Sequence, residues 1–174
     1  MSDLILRKAT IDDAELLTEL GSRTFAETFE VDNTPENMAA YLTSAFNFAQ
    51  LSAELSEPNT LFKIAEADGV AVGYSMLRAE TPPNEITGER TIELVRLYVS
   101  NESLGTGVGA ALMKDCIDAS RNRGFDTLWL GVWENNFRAQ AFYRKWGFVE
   151  VGTHIFQLGD DAQRDLLLQR DISD

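Results

Sequence analysis

Cysteine and histidine are nearly absent from this sequence. Its 174 residues include one cysteine, Cys116, and one histidine, His154. A single cysteine excludes a disulfide within the chain and is typical of a protein kept in a reducing cytoplasm. With so few thiol and imidazole groups we expect no metal site, and we expect His154 to pack within a strand.

Long apolar runs and an excess of positive charge are also lacking. No segment approaches the roughly 20 apolar residues of a membrane-spanning helix. The opening, MSDLILRKATIDD, has no cationic stretch followed by an apolar one, so no secretion signal is predicted. Asp and Glu total 28 against 15 Lys and Arg, a formal net charge of −13. We therefore expect a cytoplasmic protein that binds neither nucleic acid nor membranes, and a small cationic partner suits its charge.

Hydrophobic periodicity divides the chain into alternating strands and helices. With 44% hydrophobic and 25% charged residues, residues 1–174 are expected to form a single domain. Strands are predicted at Leu4–Leu6, Leu61–Ala67, Val70–Leu77, Thr91–Val99, Thr127–Trp133, Phe148–Phe156 and Asp165–Arg170. Helices are predicted at Ile11–Leu20, from the cap Thr34 to Phe46, over AQLSAELSE, from the glycine loop to Gly124, and at Asn136–Trp146. This order indicates a mixed α/β fold.

The stretch SLGTGVGAALMKDC, residues 103–116, places three glycines directly before a helix-forming segment. Such a loop lets backbone N–H groups and the positive end of a helix dipole approach a phosphate. GTGVGA also fits a dinucleotide-binding fingerprint, with Glu134 as the ribose-binding acid. However, only about 65 residues follow Gly109, too few for the second half of that fold. No Gly-Lys-Ser/Thr occurs, which excludes a P-loop.

Two signatures together resemble the GCN5-related N-acetyltransferases, the GNAT family. RLYV followed by the glycines and a helix is similar to the family's pyrophosphate segment, Q/R-x-x-G-x-G/A. ENNFRAQAFYRKWGF is similar to its second signature, N-x-x-A-x-x-x-Y-x-K-x-G-F. The resemblance implies a mostly antiparallel sheet with splayed central strands between helices, and acetyl-CoA as the acyl donor. Leu104 stands where the family usually has Gln or Arg, so phosphate binding would depend on backbone N–H groups.

The resemblance assigns the coenzyme to three parts of the chain. Backbone groups near the end of the strand Thr91–Val99 would pair with the pantetheine amides, and the glycine loop would bind the diphosphate. Asn136 would bond the pantetheine or cap its own helix. The candidate coenzyme-binding residues are Leu97, Tyr98, Val99, Leu104, Gly105, Thr106, Gly107, Val108, Gly109, Ala110, Asn136, Arg138, Ala139 and Tyr143.

Acyl transfer to an amine needs a base, because an amine with a pKa near ~10 is protonated at neutral pH. Alternation along the strand predicts that Glu93 shares an apolar face with Val95, Leu97 and Val99. Apolar surroundings raise the pKa of a carboxyl toward useful base strength. An ion-paired or surface Glu is the other interpretation, and the resemblance places the catalytic base at Glu93. Many relatives have a second carboxylate where this chain has Val95.

The resemblance places the general acid, which protonates the leaving thiolate, at Tyr143. A phenol is close to a thiol in pKa, so this proton transfer would be nearly balanced. From the residues alone, a core aromatic is the favoured interpretation of Tyr143. Cys116 lies on an apolar helix face and is expected to be a core residue rather than an acyl carrier.

A closer likeness is to the bacterial PaiA-type spermidine/spermine acetyltransferases. It is carried by TFAETF, NTPENMAAYLTSAF, WLGVWENN and GTHIFQLGDDAQRDLL, and it implies transfer to a primary amine of a polyamine. Candidate acceptor-binding residues are Glu27 and Glu134, with Trp133 and Tyr41 offering aromatic faces to a cation. Two alternatives stay open: a GNAT enzyme for another small amine or a protein N-terminus, and a non-catalytic acyl-CoA-binding regulator. Assembly as a homodimer is compatible with each of these functions.

Overall fold

Seven strands and five α-helices alternate along residues 3–173, the part of the chain that the computed structural model describes. The strands are β1 (Leu4–Lys8), β2 (Thr60–Ala67), β3 (Val70–Arg78), β4 (Thr91–Val99), β5 (Thr127–Trp133), β6 (Val149–Leu158) and β7 (Asp161–Asp171). The helices are α1 (Ala14–Phe29), α2 (Pro35–Ala45), α3 (Phe48–Ser56), α4 (Val108–Asn122) and α5 (Phe137–Lys145). The mixed α/β prediction is confirmed.

Helix α2 begins at its predicted cap, whereas α1 begins at Ala14 rather than Ile11 and is longer than predicted. Thr34 accepts a hydrogen bond from the Asn37 N–H at 3.2 Å, so α2 starts at its predicted cap. Helix α1 continues nine residues beyond the predicted end at Leu20. The hydroxyl of Thr24 bonds back to the Leu20 carbonyl at 2.8 Å, so a weak helix former is satisfied inside the helix.

The strands form one open sheet in the order β1-β2-β3-β4-β5-β7-β6. Every neighbouring pair is antiparallel except β4 and β5, which run parallel. The β4–β5 ladder pairs only three residues and ends at Glu93 and Trp129, so the two strands diverge beyond that point. The mostly antiparallel sheet with splayed central strands is therefore confirmed.

Helices cover both faces of the sheet. One face packs against α1, α2 and α3 through residues such as Leu17, Leu51 and Met76. The other packs against α4 and α5, with Met113 and Cys116 at its centre. Burial on both sides fixes the sheet and holds the diverging ends of β4 and β5 between two helical layers.

A β-bulge interrupts the pairing of β3 with β4. Met76 pairs with Arg96, but the next residue, Leu77, pairs with Leu94, so Val95 has no partner on β3. An extra residue on one strand reverses the alternation of side chains on the two sides of the bulge.

The bulge overturns the predicted faces of β4. Glu93 lies on the same side of the sheet as Arg96 and Tyr98, facing α1. Leu97 and Val99 pack on the opposite side, beneath α4. The prediction that Glu93 shares a face with Leu97 and Val99 is wrong, because a strict two-residue period does not survive a bulge.

Candidate active site

A cavity of about 410 Å³ opens between the diverging β4 and β5 on the side of α1 and α2. Aromatic rings form much of its wall, contributed by Phe25, Phe29, Tyr41, Phe46, Tyr98, Trp133 and Phe156. Its charged and titratable side chains are Glu54, Arg78, Glu93, Arg96, His154 and Asp165. The structure thus brings Glu93 together with Tyr41 and Trp133, the two predicted aromatic faces.

Glu93 has the properties of a base at this site. Burial, assisted by a hydrogen bond to the Glu80 carboxyl, raises the pKa of its carboxyl to about 7 against the opposing effects of Arg78 and Arg96. A carboxyl that titrates near neutral pH is ionised in a useful fraction and accepts a proton readily. Many relatives have a second carboxylate at the position of Val95. In this chain the second carboxylate is Glu80, in the exposed loop after β3.

A buried ion pair beside Glu93 was missed by the sequence analysis. Arg96 donates two hydrogen bonds to the Glu54 carboxylate, at 2.6 and 3.0 Å, and its guanidinium lies 5.0 Å from the centre of the Phe46 ring. Gln50 donates a third bond to Glu54 at 2.9 Å. The pair joins α3 to β4 at the base of the cavity. A charged Glu54 within the apolar face of AQLSAELSE was the available signal.

A third carboxylate, Asp165, lies on β7 beside the opposite wall. His154 Nε2 lies 3.5 Å from Asp165 Oδ2, and both side chains face Gly131 on β5. Burial raises the pKa of Asp165, and the nearby imidazole counteracts that rise. His154 is in a strand, as expected, but it also lines the cavity.

The glycine loop offers backbone donors to a ligand. Gly105 and Gly107 have φ angles of +76° and +96°, which side-chain-bearing residues rarely adopt. No side chain among the described residues caps the first turn of α4, so the N–H groups of Val108, Gly109 and Ala110 have no partner there. This is the arrangement that binds phosphates at helix N-termini.

Two other N–H groups of the loop are already used. The Leu104 N–H donates to the Asn101 carbonyl at 3.3 Å, and the Thr106 N–H donates to the Ser103 carbonyl at 3.3 Å. These two N–H groups are therefore occupied within the turn, and coenzyme binding by Leu104 and Thr106 stays a prediction.

The backbone hydrogen bonds of β4 show which of its predicted pantetheine-binding residues have backbone groups free for a ligand. The Ser100 N–H donates to the Val72 carbonyl of β3 at 2.8 Å. Because backbone groups alternate along a strand, those of Tyr98 also point to β3, whereas those of Leu97 and Val99 point into the gap beside β5. The Tyr98 backbone is therefore not available to a ligand, and its ring lines the cavity instead.

Helix α5 places the remaining predicted residues. The Asn136 side chain caps its own helix by accepting from the Ala139 N–H at 3.2 Å, and Arg138 is exposed. The Tyr143 ring packs beside Phe148, and burial raises the pKa of its phenol well above the ordinary value. The expected near-balance with a thiol is therefore absent, and the phenol keeps its proton.

Cys116 is a core residue, as expected. It is fully buried in α4, and burial raises the pKa of its thiol to about 12. A thiol in this state is neither accessible nor ionised, so it does not act as a nucleophile.

The two predicted acceptor carboxylates lie outside the cavity. Glu27 accepts a hydrogen bond from the Asn101 N–H at 3.0 Å and so holds the segment that leads into the glycine loop. Glu134 lies 3.8 Å from Arg164 on the surface. The carboxylates that face the cavity come from α3, β4 and β7, which sequence spacing does not bring together.

Within residues 3–173, no three side chains of His, Cys, Asp or Glu come close enough to hold a metal ion. Over the same range, no helix has the length and hydrophobicity needed to cross a bilayer.

Comparison with known sequences points to one family. The model of the acetyltransferase (GNAT) family matches residues 19–148. An uncharacterized N-acetyltransferase of Lactobacillus delbrueckii subsp. lactis is 35% identical over 151 residues, 87% of each chain. An uncharacterized N-acetyltransferase of Mycobacterium tuberculosis is 34% identical over 161 residues, 92% of this chain and 98% of that protein.

Solved structures share the fold at low sequence identity. The PaiA N-acetyltransferase of Thermoplasma acidophilum, in complex with coenzyme A, superposes with a TM-score of 0.77 at 21% identity, covering 97% of this chain and 99% of that one. The ribosomal-protein-S18-alanine N-acetyltransferase of Escherichia coli gives a TM-score of 0.73 at 17% identity, covering 99% and 96%.

Proposed function

Because the chain belongs to the acetyltransferase (GNAT) family, we propose that this N-acetyltransferase transfers an acetyl group from acetyl-CoA to a primary amine of a polyamine. The observation that carries the proposal is Glu93, whose pKa of about 7 suits a base, in an aromatic cavity beside an open strand edge. The roles of the other residues of the site are inferred from their positions around Glu93.

The backbone of the chain fits a coenzyme A molecule. Free N–H groups at the start of α4 would hold the diphosphate, and Leu97 and Val99 of β4 would pair with the pantetheine amides. Helix α5 closes the same region, since Phe142 lies 3.8 Å from the position of a Cβ on Gly109. Bound acetyl-CoA supplies the acetyl group as a thioester. Its binding leaves the aromatic cavity on the other side of β4 to the acceptor.

Proton handling divides between two residues. Glu93 takes the proton of the acceptor ammonium, directly or through a water molecule, and leaves a neutral amine that can attack a carbonyl carbon. Arg78 and Arg96 keep its pKa from rising further, so that the carboxylate form persists near neutral pH. Because burial holds the pKa of Tyr143 well above that of a thiol, Tyr143 keeps its phenolic proton and would donate a hydrogen bond to the departing thiolate rather than give up the proton.

The cavity supports a cationic acceptor. Trp133, Tyr41 and Phe29 present ring faces, which attract ammonium groups in sites shielded from water. The net charge of −13 raises the local concentration of a polycation around the whole molecule. The fold is shared with the PaiA N-acetyltransferase of Thermoplasma acidophilum.

One observation favours a second acceptor class. Arg78 Nε is buried at the cavity and, within residues 3–173, has no hydrogen-bond acceptor, although Glu80 Oε1 forms an ion pair with it at 3.4 Å. A free guanidinium donor would suit an amine next to a carbonyl group, such as a protein N-terminus. The fold is also shared with the ribosomal-protein-alanine enzyme of Escherichia coli.

The test is acetyl transfer measured as thiol release from acetyl-CoA. Spermidine, spermine, an N-terminal alanine peptide and free amino acids are compared, and we expect spermidine or spermine to give the highest kcat/KM. Glu93→Gln should lower kcat/KM by about 10²-fold or more, while Glu150→Gln, an exposed carboxylate on β6, serves as the matched control. Preference for the alanine peptide would replace the polyamine with the second class, and coenzyme binding without transfer to any amine would indicate a regulator.

A further inference from the structure

Asp165 is a buried carboxylate in the cavity that the proposed chemistry does not use. Glu54 is bound by Arg96, and Glu93 lies near two arginines. Among the described residues, the one basic side chain in contact with Asp165 is the imidazole of His154, at 3.5 Å. A carboxylate that is 8% exposed keeps its charge at a cost unless a cation compensates it.

Gly131 lets this pair lie directly against β5. A Cβ at that position would lie 3.0 Å from His154 Nε2 and 3.3 Å from Asp165 Oδ2, closer than ordinary contact. A side chain there would displace the pair, so glycine keeps both residues in the cavity wall, which Trp133 also lines. A cavity wall that combines a carboxylate and an indole fits an ammonium group.

The strand register separates this space from the base. Glu93 is paired with Trp129 on β5, whereas the Asp165 carboxylate lies against Gly131, two residues further along that strand. Two residues of strand correspond to about 7 Å, and β4 and β5 diverge over this stretch. A monoamine has no second nitrogen to reach Asp165 while its amine is at Glu93, but a polyamine has.

We propose that Asp165, with His154 and Gly131 beside it, forms a subsite that binds the non-reacting ammonium group of the acceptor. The proposal rests on the proposed polyamine activity and adds what selects a polyamine over a monoamine. Asp165 touches the substrate in this role, but it takes no part in the transfer of the acetyl group.

The test compares acceptors of different length in matched variants. Asp165→Asn removes the charge with little change of shape, and Asp160→Asn removes a charge from the exposed turn of the same hairpin. We expect Asp165→Asn to raise KM for spermidine by about tenfold or more, the usual effect of losing a charged hydrogen bond. It should leave kcat for n-butylamine and the affinity for coenzyme A unchanged, and Asp160→Asn should leave all three unchanged. Gly131→Ala should weaken spermidine binding in the same selective way.

Calorimetry of spermidine binding in the presence of coenzyme A separates this inference from the function on which it rests. Wild-type turnover of spermidine with equal KM in both Asn variants would overturn the subsite and leave the polyamine activity standing. Equal loss of activity on spermidine and n-butylamine in Asp165→Asn would also overturn it, since a selective anchor affects only the longer amine. If wild-type protein neither acetylates nor binds spermidine, both proposals are wrong.

Discussion

Replacing Glu93 by Gln should make the protein more stable while making it less active. The pKa of Glu93 is about 7 in the folded protein against an ordinary value of 4.5. A carboxyl with a raised pKa destabilises the fold in its charged form, so the cost is absent at low pH and grows as pH rises from 4.5 toward 7. A difference of 2.5 pH units corresponds to about 3 kcal/mol above pH 8, and the glutamine side chain does not incur it.

The assay is urea or thermal unfolding of wild-type and Glu93→Gln protein at about pH 5.5 and pH 8. From the same pKa values, the advantage of the variant should grow by about 2 kcal/mol between these conditions. At pH 8 the melting temperature should rise by roughly 6–12 °C for a domain of this size. Glu150→Gln, exposed on β6, removes the same charge and should show no such growth. A variant that is equally stabilised at both pH values, or destabilised at pH 8, would refute the assignment of a buried, neutral-tending carboxyl.

Two charged neighbours of Glu93 allow a test of the direction in which each one shifts its pKa. Arg78 lowers the pKa of Glu93, and Glu80 raises it. The measurement is the pH profile of kcat/KM, divided by that of Glu93→Gln to remove the titration of the amine. Arg78→Gln should move the acid limb of this profile to higher pH. Glu80→Gln should move it to lower pH. Shifts in the same direction for both variants would show that Glu93 does not produce that limb.

Three further substitutions test parts of the fold that support the site. Glu54→Ala leaves Arg96 buried without a partner and should cost about 3–5 kcal/mol by urea unfolding, whereas an apolar replacement of both residues should recover most of that loss. Gly107→Ala forces a side-chain-bearing residue to a φ of +96° and should cost about 1–2 kcal/mol, with weaker binding of coenzyme A in calorimetry. Thr34→Ala removes the cap of α2 and should cost about 1 kcal/mol without changing the affinity for coenzyme A.

Local patterns predicted the secondary structure well because its signals are contained in short stretches. The bounds of β4 and β5 agree with the predicted ones, since runs of branched and aromatic residues end at turn-forming residues. The glycine loop and its helix are also where the sequence places them. The error at α1 arose from threonines, whose hydroxyls bond within the helix and conceal its continuation.

The composition of the cavity could not be predicted from spacing, because it depends on pairing across distant strands. Asp165 meets His154 only through the register of β6 and β7, and Glu54 reaches Arg96 from a helix that precedes it by 42 residues. Glu27 and Glu134 were proposed from sequence similarity, which does not show that backbone and surface groups already bind their carboxylates.

Val95 has no partner on β3, so the arrangement of the site depends on the number of residues in β4 and not on the side chain at this position. Deleting Val95 would restore regular pairing with β3 and rotate one half of the strand by one position. Either Glu93 would then turn from the cavity into the core beneath α4, or Arg96 and Tyr98 would do so. A loss of three atoms of backbone would thus separate the base from its electrostatic surroundings, a change that no substitution of a side chain at this position could produce.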